Sequence, residues 1–148
     1  MIVFEQTDHV GGVWTYDATA SSVVYKSLRT NQPTAIIQLK DFPSQKGLPS
    51  YPSHVVVLKY IQDYSKHYKV NDVIRFHSTV MSLSKVAGRW IISVMSELGG
   101  DNEETFDHVV ICNGLYTTPR MATIKGMEHF EGAVSHSRSR ALQGQGAN

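Results

Sequence analysis

The sequence predicts an α/β fold, a partial Rossmann-like nucleotide-binding domain with a parallel sheet and a small antiparallel β-meander set into it. Three observations carry this expectation. Ile2-Val3-Phe4 is a short apolar run that ends in the carboxylate of Glu5, the form of a buried parallel strand that delivers an acid to a ribose. His108-Val109-Val110-Ile111-Cys112 is nearly all apolar and runs straight into Asn113-Gly114, as a strand buried on both faces does at the ligand edge of a parallel sheet. Between them, Ala87-Gly88 separates two runs of strand-forming residues, which suits a hairpin.

Residues 2–4 form the first expected strand, and a polar loop leads from it to Trp14. From Asp17 to Pro52 no period is sustained, and Pro33, Pro43, Pro49 and Pro52 punctuate the stretch. So long an irregular segment is uncommon in a compact domain unless it is functional or packs on another element. Pro52-Ser53 supplies a stop and a cap, after which Val57, Tyr60, Ile61, Tyr64 and Tyr68 recur at spacings of three and four. That spacing predicts an amphipathic helix over about 54–68. The second half turns to strands at 73–76, 79–86 and 89–96, which make the expected meander over about 73–96. Gly99-Gly100-Asp101-Asn102 is the next expected turn, followed by a strand over 105–112. Residues 119–132 read as loop and turn, and the tail 141–148 has no period and is expected to be disordered. The organisation is therefore one partial nucleotide-binding domain over 1–140 followed by that tail.

Composition narrows the function classes. A chain of 148 residues can bury roughly 70% of its unfolded surface. Hydrophobic content of 41% and charged content of 18% fit a globular protein. A net charge of +1 creates no strong field for nucleic acid or an anionic membrane. No apolar run in the chain reaches the ~18 residues of a membrane span, and the N-terminus lacks the pattern of a secretory signal. Cys112 is the single cysteine, which excludes an internal disulfide and a C-x-x-C pair and is expected to be a buried small hydrophobe. A reducing, intracellular setting is expected, cytoplasmic or endoplasmic reticulum-associated. The histidines at 9, 54, 67, 77, 108, 129 and 136 show no metal-ligand spacing. The G-x-S-x-G and Walker patterns of serine hydrolases and P-loop NTPases are absent from the sequence as well.

The candidate site residues are each open to two readings when taken singly. Glu5 is either a solvated residue at a strand end or an acceptor for two vicinal ribose hydroxyls, the task for which a carboxylate is suited. Gly11-Gly12 either makes a plain turn or lets backbone approach a bulky ligand. Trp14 beside it is equally consistent with ordinary core. Thr30-Asn31 before Pro33 reads as a turn, although Asn31 carries both a donor and an acceptor and can bridge a cofactor edge. In the Rossmann plan the acid follows a G-x-G-x-x-G turn by ~20 residues, so Glu5 at position 5 places the start of the chain inside such a domain.

In their order, these pieces resemble the flavin-containing monooxygenases, which use FAD and NADPH to oxygenate soft nitrogen and sulfur nucleophiles. The resemblance runs through Phe4-Glu5, Gly11-Gly12-Val13-Trp14, Tyr25-Lys26-Ser27-Leu28-Arg29-Thr30-Asn31 and Asp41-Phe42-Pro43. It continues through Tyr51-Pro52, the Tyr60–Tyr64 helix and Phe106-Asp107 with Val110 to Gly114. It ends in Phe130-Glu131-Gly132-Ala133-Val134-Ser135-His136, which is similar to the family motif F-x-G-x-x-x-H-x-x-x-aromatic, with Arg140 at the last, aromatic position. The resemblance covers the chain to about Arg138, and it implies an internal fragment of the FAD-binding region.

What the resemblance implies for the site is specific. Glu5 would hold the adenosine ribose of FAD, and Gly12, Val13 and Trp14 would line the flavin. Thr30 and Asn31 would lie at the junction of flavin and nicotinamide. Asn31 is the one catalytic candidate, helping to keep the flavin C4a-hydroperoxide that forms with O2. Val80 would touch the adenine. Phe130 and His136 would be linker residues between two nucleotide domains. The implied enzyme is of the N,N-dimethylaniline monooxygenase type, acting on a small soft nucleophile with no metal and no nucleic acid. Because these 148 residues hold no G-x-G-x-x-G turn, the chain by itself is expected neither to retain FAD nor to turn over NADPH. The alternatives are a non-catalytic truncated paralogue that acts only through partner contacts, and a fragment of a Baeyer–Villiger monooxygenase.

Overall fold

The computed structural model describes residues 1–17, 22–97, 99–116 and 118–136. The tail 141–148 and Arg140 lie outside the described residues. The chain divides into two compact units, one of residues 1–10 and 61–112, the other of residues 11–60 and 113–148. The division falls within one helix.

In the first unit, β1 (Val3–Phe4) pairs in parallel with β2 (Ile74–Arg75), Val3 opposite Ile74 and Phe4 opposite Arg75. The Glu5 N–H extends this ladder to the Arg75 carbonyl at 3.0 Å, and the Glu5 carbonyl accepts from Ser78 N–H at 2.9 Å. The second sheet is antiparallel, with β3 (Ser78–Val86), β4 (Arg89–Ser96) and β5 (Gly100–Phe106) in that order. Ile92 and Val94 are the buried side chains of β4, two residues apart, as the alternation of a strand with one core face requires. Phe4 meets the Phe106 ring edge to face at 6.1 Å, so the two sheets share apolar contact inside this unit.

The Ala87-Gly88 hairpin is present, with φ of +49° and +86° at its two central residues. Both angles are positive, the geometry of a type I′ turn, which follows the twist of the flanking strands. Ala87 carries a Cβ in that left-handed conformation. Replacing it with glycine or asparagine is expected to raise stability by about 0.5–1 kcal/mol, read as a higher Tm. An unchanged or lower Tm would show that the turn is not under this strain.

The antiparallel sheet differs from expectation in extent. Residues 74–75 belong to the parallel pair rather than to the meander, which spans 78–106 rather than 73–96. Its third strand is Gly100–Phe106, and the separate parallel-sheet strand expected over 105–112 is not formed beyond Phe106. Residues 100–105 are polar and mostly exposed, and they pair through backbone with β4, Gly100 opposite Ser96 through Phe106 opposite Trp90. Such an edge strand needs no apolar side chains, and charges there discourage further pairing. The apolar run 108–112 has no strand partner among the described residues, and Val110 and Ile111 are 84% and 68% exposed. Cys112 is likewise exposed, not buried. Apolar composition without a sheet neighbour leaves backbone groups unpaired, so no strand forms.

In the second unit, α1 (Thr34–Ile37) is one turn, and α2 (His54–His67) begins where Ser53 ends the preceding segment. The Ser53 carbonyl accepts from Val56 and Val57 N–H. The helix ends with Lys66 and His67 in its last turn, favourable to the helix dipole, and Lys69 beyond it takes a left-handed φ of +54°. Val24, Pro52 and Val57 are the buried apolar residues of this unit among the described residues. Residues 118–136 are loop with one 3-10 turn at Met127–His129. There the Phe130 ring lies over Gly132, where a Cβ would stand 2.4 Å from it.

Candidate functional site

Glu5 stands at the carboxyl end of β1 with its side chain already oriented. Its Oε1 accepts from the Thr7 backbone N–H and from the Thr7 hydroxyl, both at 2.8 Å. The Thr7 hydroxyl also lies 3.0 Å from the His9 carbonyl. Its one proton serves one acceptor at a time, so the N–H is the constant donor. A carboxylate offers about four lone-pair positions, which leaves Oε2 able to accept from a ligand hydroxyl. Next to this turn the His9 ring, hydrogen-bonded to Asp8, holds that carboxyl below the usual carboxylate range. A lowered acid stabilises the fold above its unfolded pKa, and the effect is lost as pH falls through the folded value. Val80, in the same unit, lies on β3 opposite Val94, beside a bulge between Val80 and Ser82, and is 45% exposed.

The second unit carries the glycine turn, and the two glycines have separate tasks. Gly11 has φ of +153°, and a Cβ there would stand 2.3 Å from Leu58 Cδ1 and 2.7 Å from Thr15 Oγ1. It is therefore the contact through which the turn packs on α2. Gly12 has φ of +50°, and a Cβ there would meet nothing within 4 Å. Gly12–Trp14 form one 3-10 turn closed by Trp14 N–H and Thr15 N–H on the Gly11 and Gly12 carbonyls, each at 3.1 Å. Val13 is exposed and Trp14 half-buried.

Thr30 and Asn31 also separate. Thr30 is buried, its N–H donates to the Pro52 carbonyl at 3.0 Å, and its hydroxyl donates to the Gln32 carbonyl at 2.8 Å. Its N–H and hydroxyl are spent inside the fold. Asn31 is exposed beside it, in the bend that precedes Pro33. The 26–31 segment is held to 50–54 by the Arg29–Ser53 bridge, by Arg29 Nη1 donating to Tyr51 O at 3.2 Å, and by His54. Thr7 beside Glu5, and His54 beside the 26–31 segment, are supporting residues that sequence reasoning missed, while Gly11 was named only as one of a glycine pair, without its packing role.

Tyr60 supports the neighbouring loop. Its hydroxyl accepts from Leu39 N–H at 2.7 Å and donates to the Phe42 carbonyl, closing the turn between them. Tyr60→Phe removes both bonds and is expected to cost about 1–3 kcal/mol, with faster amide exchange at Leu39. Unchanged exchange at that amide would contradict the role.

Known proteins share the fold. The profile of the Flavin-binding monooxygenase-like family matches residues 1–144, and the chain belongs to that family. It is 38% identical over 161 aligned positions to "Flavin-containing monooxygenase FMO GS-OX-like 1" of Arabidopsis thaliana, covering 94% of this chain and 34% of that protein. The solved S-allyl-L-cysteine S-oxygenase of Allium sativum is 31% identical, with a TM-score of 0.81, covering 93% of this chain and 36% of that one. The fold is shared with OTEMO, solved in complex with FAD and NADP, at 22% identity and a TM-score of 0.66, over 93% of this chain and 25% of that one. The chain thus spans about a third of the length of the curated relatives it matches. The family is one of oxidoreductases, and the α/β fold with a parallel pair and an antiparallel sheet is that of flavin monooxygenases.

Proposed function

We propose that this chain supplies flavin-contacting parts of an FAD- and NADPH-dependent monooxygenase that oxygenates soft nitrogen or sulfur nucleophiles with O2. The observation that carries the reading is the family match along residues 1–144. The sulfur-oxygenating relative from Allium sativum favours a soft sulfur centre in the substrate. Three features of the chain fit the cofactor: an acceptor left on Glu5, open space over Gly12, and an exposed Asn31. Bound FAD supplies the oxygen activation, and NADPH the reducing equivalents.

The chain's own residues bind and orient. Glu5, fixed by the Thr7 N–H, accepts from the adenosine ribose hydroxyls, and Val80 offers an apolar contact to adenine. Gly12 and Val13 bring backbone against the flavin because no Cβ at position 12 intervenes, and Trp14 backs the turn. Asn31 donates and accepts at the flavin edge, while Thr30, its hydroxyl turned inward, fixes the bend that presents Asn31. Excluding water from the flavin face would fall to these apolar and backbone surfaces.

The chain lacks a G-x-G-x-x-G turn to carry the pyrophosphate, so its own FAD binding is expected to be weak. After desalting from excess FAD, the purified chain is expected to carry no flavin absorbance and to leave NADPH unoxidised. One equivalent of retained flavin would overturn that expectation.

A further inference from the structure

His54 is 5% exposed at the start of α2 and touches the chain on three sides. Its backbone N–H donates to the Leu28 carbonyl at 3.1 Å, and its Nε2 lies 3.2 Å from the Lys26 carbonyl. A carbonyl only accepts, so Nε2 carries the proton and the ring is the Nε2–H tautomer. Nδ1 is then a bare acceptor, and it is buried with no hydrogen-bond partner among the described residues. The ring also meets Tyr16, with centroids 5.7 Å apart and planes tilted by 53°.

These contacts lead to two places. Tyr16 follows directly on the Gly12–Trp14 turn through Thr15, and Lys26 to Leu28 runs into Thr30 and Asn31. With Thr30 N–H on the Pro52 carbonyl, the segment that ends in Asn31 is laced to residues 52–54 by both backbone and side chain. We propose that His54 is a positioning residue of the candidate site, setting the Asn31 bend through Lys26 and the Gly12–Trp14 turn through Tyr16. This rests on the reading of those two turns as flavin contacts.

The bare Nδ1 is the argument against a purely stabilising role. One neutral hydrogen bond returns less than an unsatisfied buried acceptor costs, so an apolar ring would serve packing as well or better. What an apolar ring cannot do is hold the Lys26 carbonyl.

The test uses the isotope-labelled chain with His54→Phe and His54→Gln. In the wild type, long-range proton–nitrogen spectra are expected to show a proton on Nε2 and none on Nδ1. His54→Phe is expected to keep its Tm within a few degrees while exchange protection at the Leu28 and Thr30 amides falls about tenfold and the Gly12 and Asn31 amide resonances shift. His54→Gln places a carboxamide N–H toward Lys26 and is expected to restore protection to within about threefold of wild type. Wild-type protection and resonances in the Phe variant, or a wild-type ring protonated on Nδ1, would overturn the proposal. If the Phe variant does not fold, a folded Gln variant decides: wild-type resonances at Gly12 and Asn31 support the role, and displaced ones overturn it. Titrating the wild type with FAD tests the other reading separately. No response at Gly12 or Asn31 would withdraw the flavin contacts, while the exchange data still decide whether His54 ties the two turns together.

Discussion

Gly11→Ala is expected to destabilise the chain by about 3 kcal/mol, lowering Tm by roughly 10 °C. Two costs act together. The backbone at Gly11, with φ of +153° and ψ of −26°, is one that side-chain-bearing residues rarely adopt. The added methyl would also stand 2.3 Å from Leu58 Cδ1 and 2.7 Å from Thr15 Oγ1. Leu58 can be tested as the source of the second cost. In a Leu58→Ala background the same substitution is expected to cost about 1 kcal/mol less, because one clash is gone while Thr15 and the backbone strain remain. Strict additivity would show that packing on α2 is not the reason for glycine at this position. Gly12→Ala is the control: its left-handed φ of +50° costs about 1–2 kcal/mol, and its methyl meets open space.

Glu5→Gln is expected to leave Tm nearly unchanged and to reduce the response to FAD at a fixed concentration about tenfold. Glutamine keeps an oxygen to accept from the Thr7 N–H, so the turn survives. Its second terminal atom is a donor and cannot accept from a ribose hydroxyl, and hydrogen bonds to a charged group are worth about 1.5–3 kcal/mol. Removing the charge also relieves repulsion from the pyrophosphate, an opposing effect of under about 1 kcal/mol for exposed charges at physiological salt. The loss of the acceptor wins. Tighter FAD binding by Glu5→Gln would remove Glu5 from the ribose role.

Which parts of this fold could be read from the sequence follows from which were dictated locally. The helix from His54 to His67 was legible because its apolar spacing, its Pro52-Ser53 start and its length all agree. The Ala87-Gly88 hairpin was legible for the same reason, since a two-residue turn sets the register of both strands. The strand at Gly100–Phe106 was not, because Asp101, Asn102, Glu103 and Glu104 carry no strand propensity and their order comes from backbone pairing with β4. The opposite error fell on residues 108–112, whose apolar character promised burial that needs a neighbour the described residues do not provide.

The site divides in the same way. By residue type alone Glu5, Gly12 and Asn31 were each open to two readings, the resemblance named them, and each has a feature open to a ligand in the structure. Residue types alone did not distinguish Gly11 from Gly12 or Thr30 from Asn31, and in the structure contact with Leu58 and a hydrogen bond to Pro52 separate those pairs. Nothing in spacing pointed to His54, whose part depends on a carbonyl 28 residues away in sequence.

The measurement that tests the central claim most directly is an FAD titration of the nitrogen-15-labelled chain, followed amide by amide. Saturable shifts concentrated at Glu5, Gly12, Val13, Trp14 and Asn31, reduced by Glu5→Gln, are the predicted result. Shifts scattered over the surface, or none at those five residues while FAD is in large excess, would contradict the assignment of this chain to flavin contact.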